Sequence, residues 1–372
     1  MPRAPPRIFD SMKHHLSELG LALGAPTDLA IHELAATDRT QAERWDAFVA
    51  GHAAATFFHR AGWQRVIEDA FRHRTHFLYA ERDGRIEGVL PLAQVRSFLF
   101  GNSLVSLPFA VYGGVVASTP EAATALEEAA QALAQRLRVD HLELRNVEPR
   151  HPDWPTQDLY VTFRKEILPD DNANMLAIPR KQRAMVRKAI NNGLASEIDP
   201  GLDRFYALYA ENVHRHGTPA LPKRYFAKLA EVFGADCEVL TVTAPDGRPL
   251  SSVMSFYFRD EVLPYYAGDH VDARSLAAND FKYWELLRRA CARRIRVFDY
   301  GRSKKGTGSY AFKKNWGFAA QPLHYEYRLL RRASIPQNNP ANPKYRAFIA
   351  LWRRLPISLA NRLGPVIVRN LG

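Results

Sequence analysis

The chain has 372 residues, 47% apolar and 24% charged, with a formal net charge of +12; its length suits two domains and its composition suits buried cores. No stretch is apolar enough to span a bilayer, and the N-terminal MPRAPPRIFD lacks an apolar export core, so a cytoplasmic location is expected. The two isolated cysteines, Cys237 and Cys291, exclude a disulfide framework or thiolate cluster, the histidines show no metal spacing, and the basic balance favours anionic partners such as phosphates, nucleic acids or an acidic membrane face.

In chain order, the first half predicts a helix over 44–51 and a second over 62–72. A strand THFLYAE, an Asp83-Gly84 turn and a strand RIEGVLPLAQV follow, then LVSLPFAVYGG. Next come a helix over 120–138, a strand HLELRN, Trp154 and a closing strand LYVTFRKEIL. The second half repeats this order: helices DRFYALYAENVHR and KRYFAKLAEVF, strand CEVLTVT, an Asp246-Gly247 turn, and strands PLSSVMSFYF and EVLPYYAG. Helix NDFKYWELLRRACARR, strand RVFDYG, Trp316 and strand LHYEYRLL complete it. The Asp-Gly turns, Tyr112 with Tyr266, and Trp154 with Trp316 all recur at an offset of about 160 residues, the mark of an internal duplication. Asp-Gly between alternating strands signals a hairpin. A strand, a crossover helix and another strand give a parallel pair, so each copy reads as an α/β (mixed α+β) unit, and the order of its elements resembles the GNAT acyltransferase architecture. Ligands bind such sheets beyond the carboxyl ends of their strands, here near Tyr265-Tyr266-Ala267-Gly268, with Asn279-Asp280 as the helix cap.

Two segments carry candidate chemistry. AIPRKQRAMVRK opens the second copy as a helix with Met185, Val186, Ala189 and Ile190 as its apolar stripe. Arg180, Arg183 and Arg187 share another face, where guanidinium groups suit phosphate oxygens. Asn192-Gly193 stops this helix. A second basic run, RRACARRIR, spans 288–296; a solvated face is the alternative for both runs. FDYGRSKKGTGSYAFKKNWGF, residues 298–318, leaves a strand and turns through glycines among five cationic groups, which lets backbone amides approach an anion. It is not a Walker A loop, and the formal Gly-x-Gly-x-x-Ala from Gly306 precedes no clear helix. Glu143 and Asp299 end equivalent strands of the two copies.

These residues resemble the FemAB family of aminoacyl and acyl transferases. RKQRAMVRKAINNGL is similar to the basic helix that starts the family's second domain, and the 298–318 segment to its C-terminal Gly-rich stretch with Phe-Lys. TFFHRAGW, PFAVYGG, SFYFRDEVLPYYAG, ANDFKYWELLRRA and NPKYRAFIALWRRLP resemble the branch that accompanies PEP-CTERM/exosortase systems, whose relatives carry a BioF2-like acetyltransferase domain. The resemblance implies two tandem GNAT-like domains: an N-terminal extension at 1–28, a first domain at 29–165, a linker at 166–178, a second domain at 179–332 and a basic amphipathic tail at 333–372.

It also implies transfer of an aminoacyl or acyl group to an amine on a cell-envelope or exopolysaccharide precursor. No tightly bound cofactor is expected; the donor is aminoacyl-tRNA or acyl-CoA, so tRNA is one candidate partner, and a DNA partner is not expected. Lys313 or Lys314 would steady the oxyanion, and Asp299 would take the amine proton or position Arg302. Arg302, Ser303, Lys304, Gly306, Gly308, Arg180, Arg183 and Arg187 would hold phosphate, with Tyr112 and Tyr266 lining the crevice. Two departures stand out. The crossover loops, 274–278 and 116–120, lack the glycines of a CoA-binding loop, and the helical hairpin some members carry for tRNA contact is absent. The alternatives are an acyl-CoA-dependent N-acetyltransferase acting on a sugar or amino acid, and a precursor-binding protein without catalysis. The tail sets Trp352 and leucines among arginines with no acid, the composition of a helix lying on an anionic inner-membrane face.

Overall fold

The computed structural model describes residues 28–97, 101–336 and 343–369; the expected N-terminal extension lies outside them but for its last residue. The first half runs β1 (Ala30–Glu33), α1 (Arg39–Gly51), α2 (Gly62–Phe71), β2 (Arg74–Arg82), β3 (Arg85–Ser97), β4 (Gly101–Val105), β5 (Val116–Ala117), α3 (Pro120–Arg136) and β6 (His141–Asn146). Asp83 and Gly84 both take positive φ, as a tight hairpin between β2 and β3 requires. Thr119 caps α3 through Ala122 N and Pro120 occupies its first turn. Strands β4 and β6 then pair in parallel.

Next come β7 (Thr156–Gln157) and β8 (Tyr160–Glu166). The segment expected as a linker holds helix α4 (Asp171–Ala177), capped by Asp170. The second half runs α5 (Arg180–Asn191), β9 (Ala195–Ile198), α6 (Asp203–Arg215), α7 (Lys223–Phe233), β10 (Cys237–Thr243), β11 (Pro249–Phe258), β12 (Glu261–Asp269), α8 (Ala278–Ala292) and β13 (Val297–Asp299). β14 (Ser303–Lys304), α9 (Gly308–Asn315), β15 (Ala320–Pro322) and β16 (His324–Leu329) follow, and α10 (Pro343–Trp352) and α11 (Ile357–Val368) form the tail. Asn279 and Asp280 lie inside the first turn of α8, whose cap is Ala277 in left-handed conformation without a side-chain bond.

The two sheets exchange their closing strands. The first is ordered β1-β2-β3-β4-β6-β16-β7, with β5 on β3; the second is ordered β14-β8-β13-β12-β11-β10-β9, with β15 on β8. Strand β8, which follows the first copy in sequence, thus lies antiparallel to β13 of the second (Asp299 opposite Arg164), and β16 lies antiparallel to β6 of the first (Tyr325 opposite Arg145). Side chains fit the exchange. Glu326, fully buried on β16, accepts from Asn146 Nδ2 at 2.5 Å and from the backbone amides of Arg150 and His151 at 2.9 Å.

Each half keeps an apolar layer of its own: Leu126 of α3 on Leu90, Leu104 and Leu142 of the first sheet, and Val186 of α5 in one cluster with Val253, Phe298 and Trp316. A third core belongs to both. Phe57 stacks on Phe256 at 4.4 Å and meets Phe233 at 4.6 Å, while Arg259 of the second half donates to the carbonyls of His52, Ala53 and Ala55. Fully buried aromatics contribute about 1.5–3 kcal/mol each, so this shared core fixes the halves against one another.

Candidate active site

The second sheet opens where its parallel pair parts. β12 and β13 pair only at Glu261 with Val297 and Val262 with Phe298. Beyond that point β12 continues along β11 while β13 ends at Asp299. A register shift opposite Met254 and Ser255 leaves Tyr265 as an extra residue of β12, and bulges of this kind re-aim side chains. The Tyr265 hydroxyl donates to Phe109 O at 2.8 Å, in the loop that leaves β4.

Asp299 is wholly buried at the end of β13. Its Oδ1 accepts from Gly301 N at 2.7 Å and Thr162 Oγ1 at 3.2 Å; its Oδ2 lies 2.9 Å from the Tyr112 hydroxyl. Burial, with the charge of Asp299 beside it, holds the Tyr112 hydroxyl well above the usual tyrosine range, so it remains a donor. Three parts of the chain meet at this carboxylate: the β4 loop (Tyr112), the exchanged strand β8 (Thr162, with Arg164 Nε at 4.0 Å) and β13. Asp299 bonds the amide of Gly301 rather than the side chain of Arg302. Both its oxygens are engaged, the geometry of a group that shapes the turn.

The equivalent carboxylate of the first copy does related work. Glu143 Oε1 accepts from Arg145 Nε at 2.7 Å, and Arg145 donates to the carbonyls of Leu107 at 3.1 Å and Ala110 at 2.7 Å. Tyr325 on β16 donates to Val111 O at 2.8 Å. This clamp carries Tyr112 across to Asp299. Arg145 follows Glu143 at i+2, on the same strand face, a spacing the sequence displays.

Gly301, at φ +63°, turns the chain out of β13. The turn is held by Lys313, 7% exposed, whose Nζ donates to the carbonyls of Tyr300 at 2.6 Å, Gly301 at 3.0 Å and Arg302 at 3.3 Å. Burial pulls this ammonium down to about 7 against the ordinary 10.5, with Asp299 opposing the shift. Contrary to the sequence reading, a helix does follow the glycines. Thr307 caps α9 by accepting from Tyr310 N, so Gly306 (φ +76°) and Gly308 lead directly into it. Lys313 faces inward from α9; Lys314 is exposed, 5.8 Å over the Tyr310 ring.

Arg302 follows the Gly301 turn and is exposed, its guanidinium 4.6 Å over the Tyr160 ring and within 3.4 Å of the Tyr325 hydroxyl. Tyr160 belongs to β8 and Tyr325 to β16, so the two exchanged strands meet under this cation. Among the described residues Arg302 has no carboxylate partner. Ser303 is buried against Ser309 at 3.1 Å, and Lys304 pairs on β14 with Tyr160. Tyr266 stands apart from the Asp299 network, its hydroxyl 2.9 Å from that of Tyr225.

The two basic runs separate by their partners. In 288–296, Arg288 pairs with Asp171 and Glu285, Arg289 and Arg293 with Glu238, and Arg296 with Asp260. On α5, Arg180, Arg183 and Arg187 line one open groove with Lys188, Asn191 and Asn192. Arg183 donates to the carbonyls of Ile178 and Leu176, whereas Arg180 and Arg187 are exposed without a carboxylate partner among the described residues. Val186 and Ala189 bury the opposite face, with Ile190, 46% exposed, at its edge.

Residues the sequence did not single out complete the site: Tyr160, Thr162, Arg164 and Tyr325. All four sit on exchanged strands, and their proximity depends on that exchange. Among the described residues no group of three or more His, Cys, Asp or Glu side chains is arranged to hold a metal ion.

Residues 180–314 match the acetyltransferase (GNAT) domain family. No curated protein matches the chain in sequence. Among solved structures, FemX is similar over 81% of this chain and 98% of its own, at 15% identity and a TM-score of 0.63. A tandem GNAT protein from the clavulanic acid biosynthesis pathway is similar over 83% of this chain and 100% of its own, at 15% identity and a TM-score of 0.54. The C-terminal domain of a putative lysylphosphatidylglycerol synthetase from Agrobacterium fabrum is similar over 79% of this chain and 92% of its own, at 12% identity and a TM-score of 0.55. The chain therefore has the fold of tandem GNAT proteins, with a GNAT acetyltransferase domain over residues 180–314.

Proposed function

We propose that the chain is a FemAB-like N-acyltransferase that moves an aminoacyl or acyl group from a phosphate-bearing donor to an amine of a cell-envelope or exopolysaccharide precursor. The observation that carries this reading is Arg302, a cation with no carboxylate partner among the described residues, on a turn that Lys313 and Asp299 hold by hydrogen bonds. Acyl transfer to an amine needs the two reactants oriented and the developing oxyanion stabilised. Arg302 supplies fixed positive charge where an oxyanion or a donor phosphate would lie.

The charge pattern favours a polyanionic donor such as an aminoacyl-tRNA over CoA. A CoA pyrophosphate needs the amides at the start of a crossover helix. Here Asp280 stands in the first turn of α8, while the other acids near the crossover helices are paired, Asp269 with Lys282, Asp272 with Arg248 and Glu121 with Arg82. The unneutralised arginines lie on α5 instead. The specific reading as the branch that accompanies PEP-CTERM/exosortase systems rests on the sequence motifs.

The test supplies purified protein with an amine-bearing nucleotide-linked amino sugar and, separately, aminoacyl-tRNA or acetyl-CoA, and follows the acceptor's mass. Transfer is expected from the tRNA. Arg180→Ala with Arg187→Ala should raise the donor KM, and Arg302→Ala should lower kcat. Transfer from acetyl-CoA alone, unmoved by the α5 substitutions, would establish the acyl-CoA reading, and binding of the sugar without acylation by either donor would establish a binding protein.

A further inference from the structure

Helix α11 is apolar on two faces. Ala360, Gly364 and Val368 (i, i+4, i+8) are buried, and Gly364 packs on Pro219 and Ala220. Leu359 and Leu363 (i, i+4) point the other way, 41% and 43% exposed, with Arg362 exposed beside them. Helix α10 is built alike. Trp352 is buried at 3% exposure and its carbonyl lies 3.1 Å from His214 Nε2; Phe348 stacks one side of its ring on Trp352 at 5.5 Å and stays 37% exposed, and Leu351 is 64% exposed. Ile357, at the start of α11, is 42% exposed. A helix apolar all round is normally covered all round. The inner faces of α10 and α11 have their cover in the protein; the outer faces have none among the described residues.

The tail's own charges have one sign. Residues 333–372 hold Lys344, Arg346, Arg353, Arg354, Arg362 and Arg369 and no acid. Among the described residues none of Arg353, Arg354 and Arg362 pairs with a carboxylate, and all three are exposed. Leucines and a phenylalanine at helical spacing, between arginines with no carboxylate partner among the described residues, match the apolar interior and the anionic headgroups of one bilayer leaflet. An interface with a second copy would set these like-charged arginines against each other. No described helix is long and apolar enough to cross a membrane, so the contact is peripheral.

We infer that the α10–α11 tail docks the folded protein onto an anionic lipid surface through Phe348, Leu351, Leu359 and Leu363, with Arg354 and Arg362 on the headgroups. The inference stands apart from the acyl-transfer reading, since none of these residues lies at the parted strands.

The experiment is co-sedimentation of the full chain with vesicles of phosphatidylcholine alone or phosphatidylcholine with phosphatidylglycerol. The protein should pellet with the anionic vesicles only and be released by salt. Two full-chain variants, Leu359→Ser with Leu363→Ser and Arg354→Glu with Arg362→Glu, change exposed side chains and should melt like the parent. Each should lower the bound fraction at least about tenfold. The inference falls if the parent stays in the supernatant with anionic vesicles, or if both variants bind as the parent does. It falls equally if the parent is dimeric by ultracentrifugation and the leucine variant is monomeric, which would give these faces to a second copy.

Discussion

Cut between Pro169 and Asp170, the chain should give two fragments that do not fold alone. The N-terminal fragment ends with β8, which belongs in the second sheet; the C-terminal fragment carries β16, which belongs in the first. Each would leave a central strand, β6 or β13, without its neighbour. Tyr325, Tyr327 and Glu326 of β16 are all nearly or fully buried. Loss of two such tyrosines alone removes roughly 3–6 kcal/mol, against about 5–15 kcal/mol for a whole domain. The shared aromatic core is also divided. Separately expressed, 1–169 and 170–372 are expected to show no cooperative melting, and co-expression should restore one transition. A finer probe is Glu326→Ala, which strands Asn146 Nδ2 and two backbone amides and should cost about 3 kcal/mol or more. A cooperative melt of either fragment alone would show that its sheet closes without the strand it receives from the other half.

Most of the secondary structure was legible in the sequence. Helices Asp203–Arg215 and Lys223–Phe233 and strands His141–Asn146, Cys237–Thr243 and Pro249–Phe258 lie where their periodicity and punctuation put them. The duplication and the crossovers yield the tandem fold. The exchange was not legible, because strands 160–166 and 324–329 have similar alternation and either would present an apolar face to either sheet. Only side-chain matching decides it: Glu326 against Asn146, and Thr162 against Asp299. Helix α9 was missed because two glycines stand at its entrance, where Thr307 in fact supplies the cap. The short helix Asp171–Ala177 was missed because seven residues make too brief a period to register.

The site was legible in its segments but not in the orientation of its side chains. Adjacent lysines at 313 and 314 are equivalent in a charge count, yet α9 turns one inward and one out. The sequence cannot show which arginines have acids beside them in space. That difference separates 288–296, neutralised by Glu238, Glu285, Asp171 and Asp260, from the open face of α5.

The inward lysine should act through the turn it holds. Lys313 Nζ bonds three successive carbonyls, and the third belongs to Arg302. Lys313→Met keeps the apolar stem and removes all three donors. Arg302 then loses its fixed position, and a displacement of about 1 Å in a positioning group costs on the order of 100-fold in rate. A kcat lower by about that factor is expected, with the donor KM little changed. Lys314→Ala, on the exposed face, should stay within a factor of about two of the parent.

Titration supplies a readout independent of turnover. The folded chain holds Lys313 at about 7, whereas the unfolded chain holds it near 10.5. Between those values the unfolded chain keeps a proton that the folded chain has released, so this group adds stability as pH rises across the window. Its contribution is lowest below pH 7, where the buried group is charged. From pH 7 to 9 the parent should gain on the order of 2 kcal/mol over the Lys313→Met variant, measured as the difference between their denaturation curves. Parallel pH dependence of parent and variant would place the lysine's titration outside this window. A greater loss of transfer in Lys314→Ala than in Lys313→Met would make Lys314 the cation that meets the reacting group.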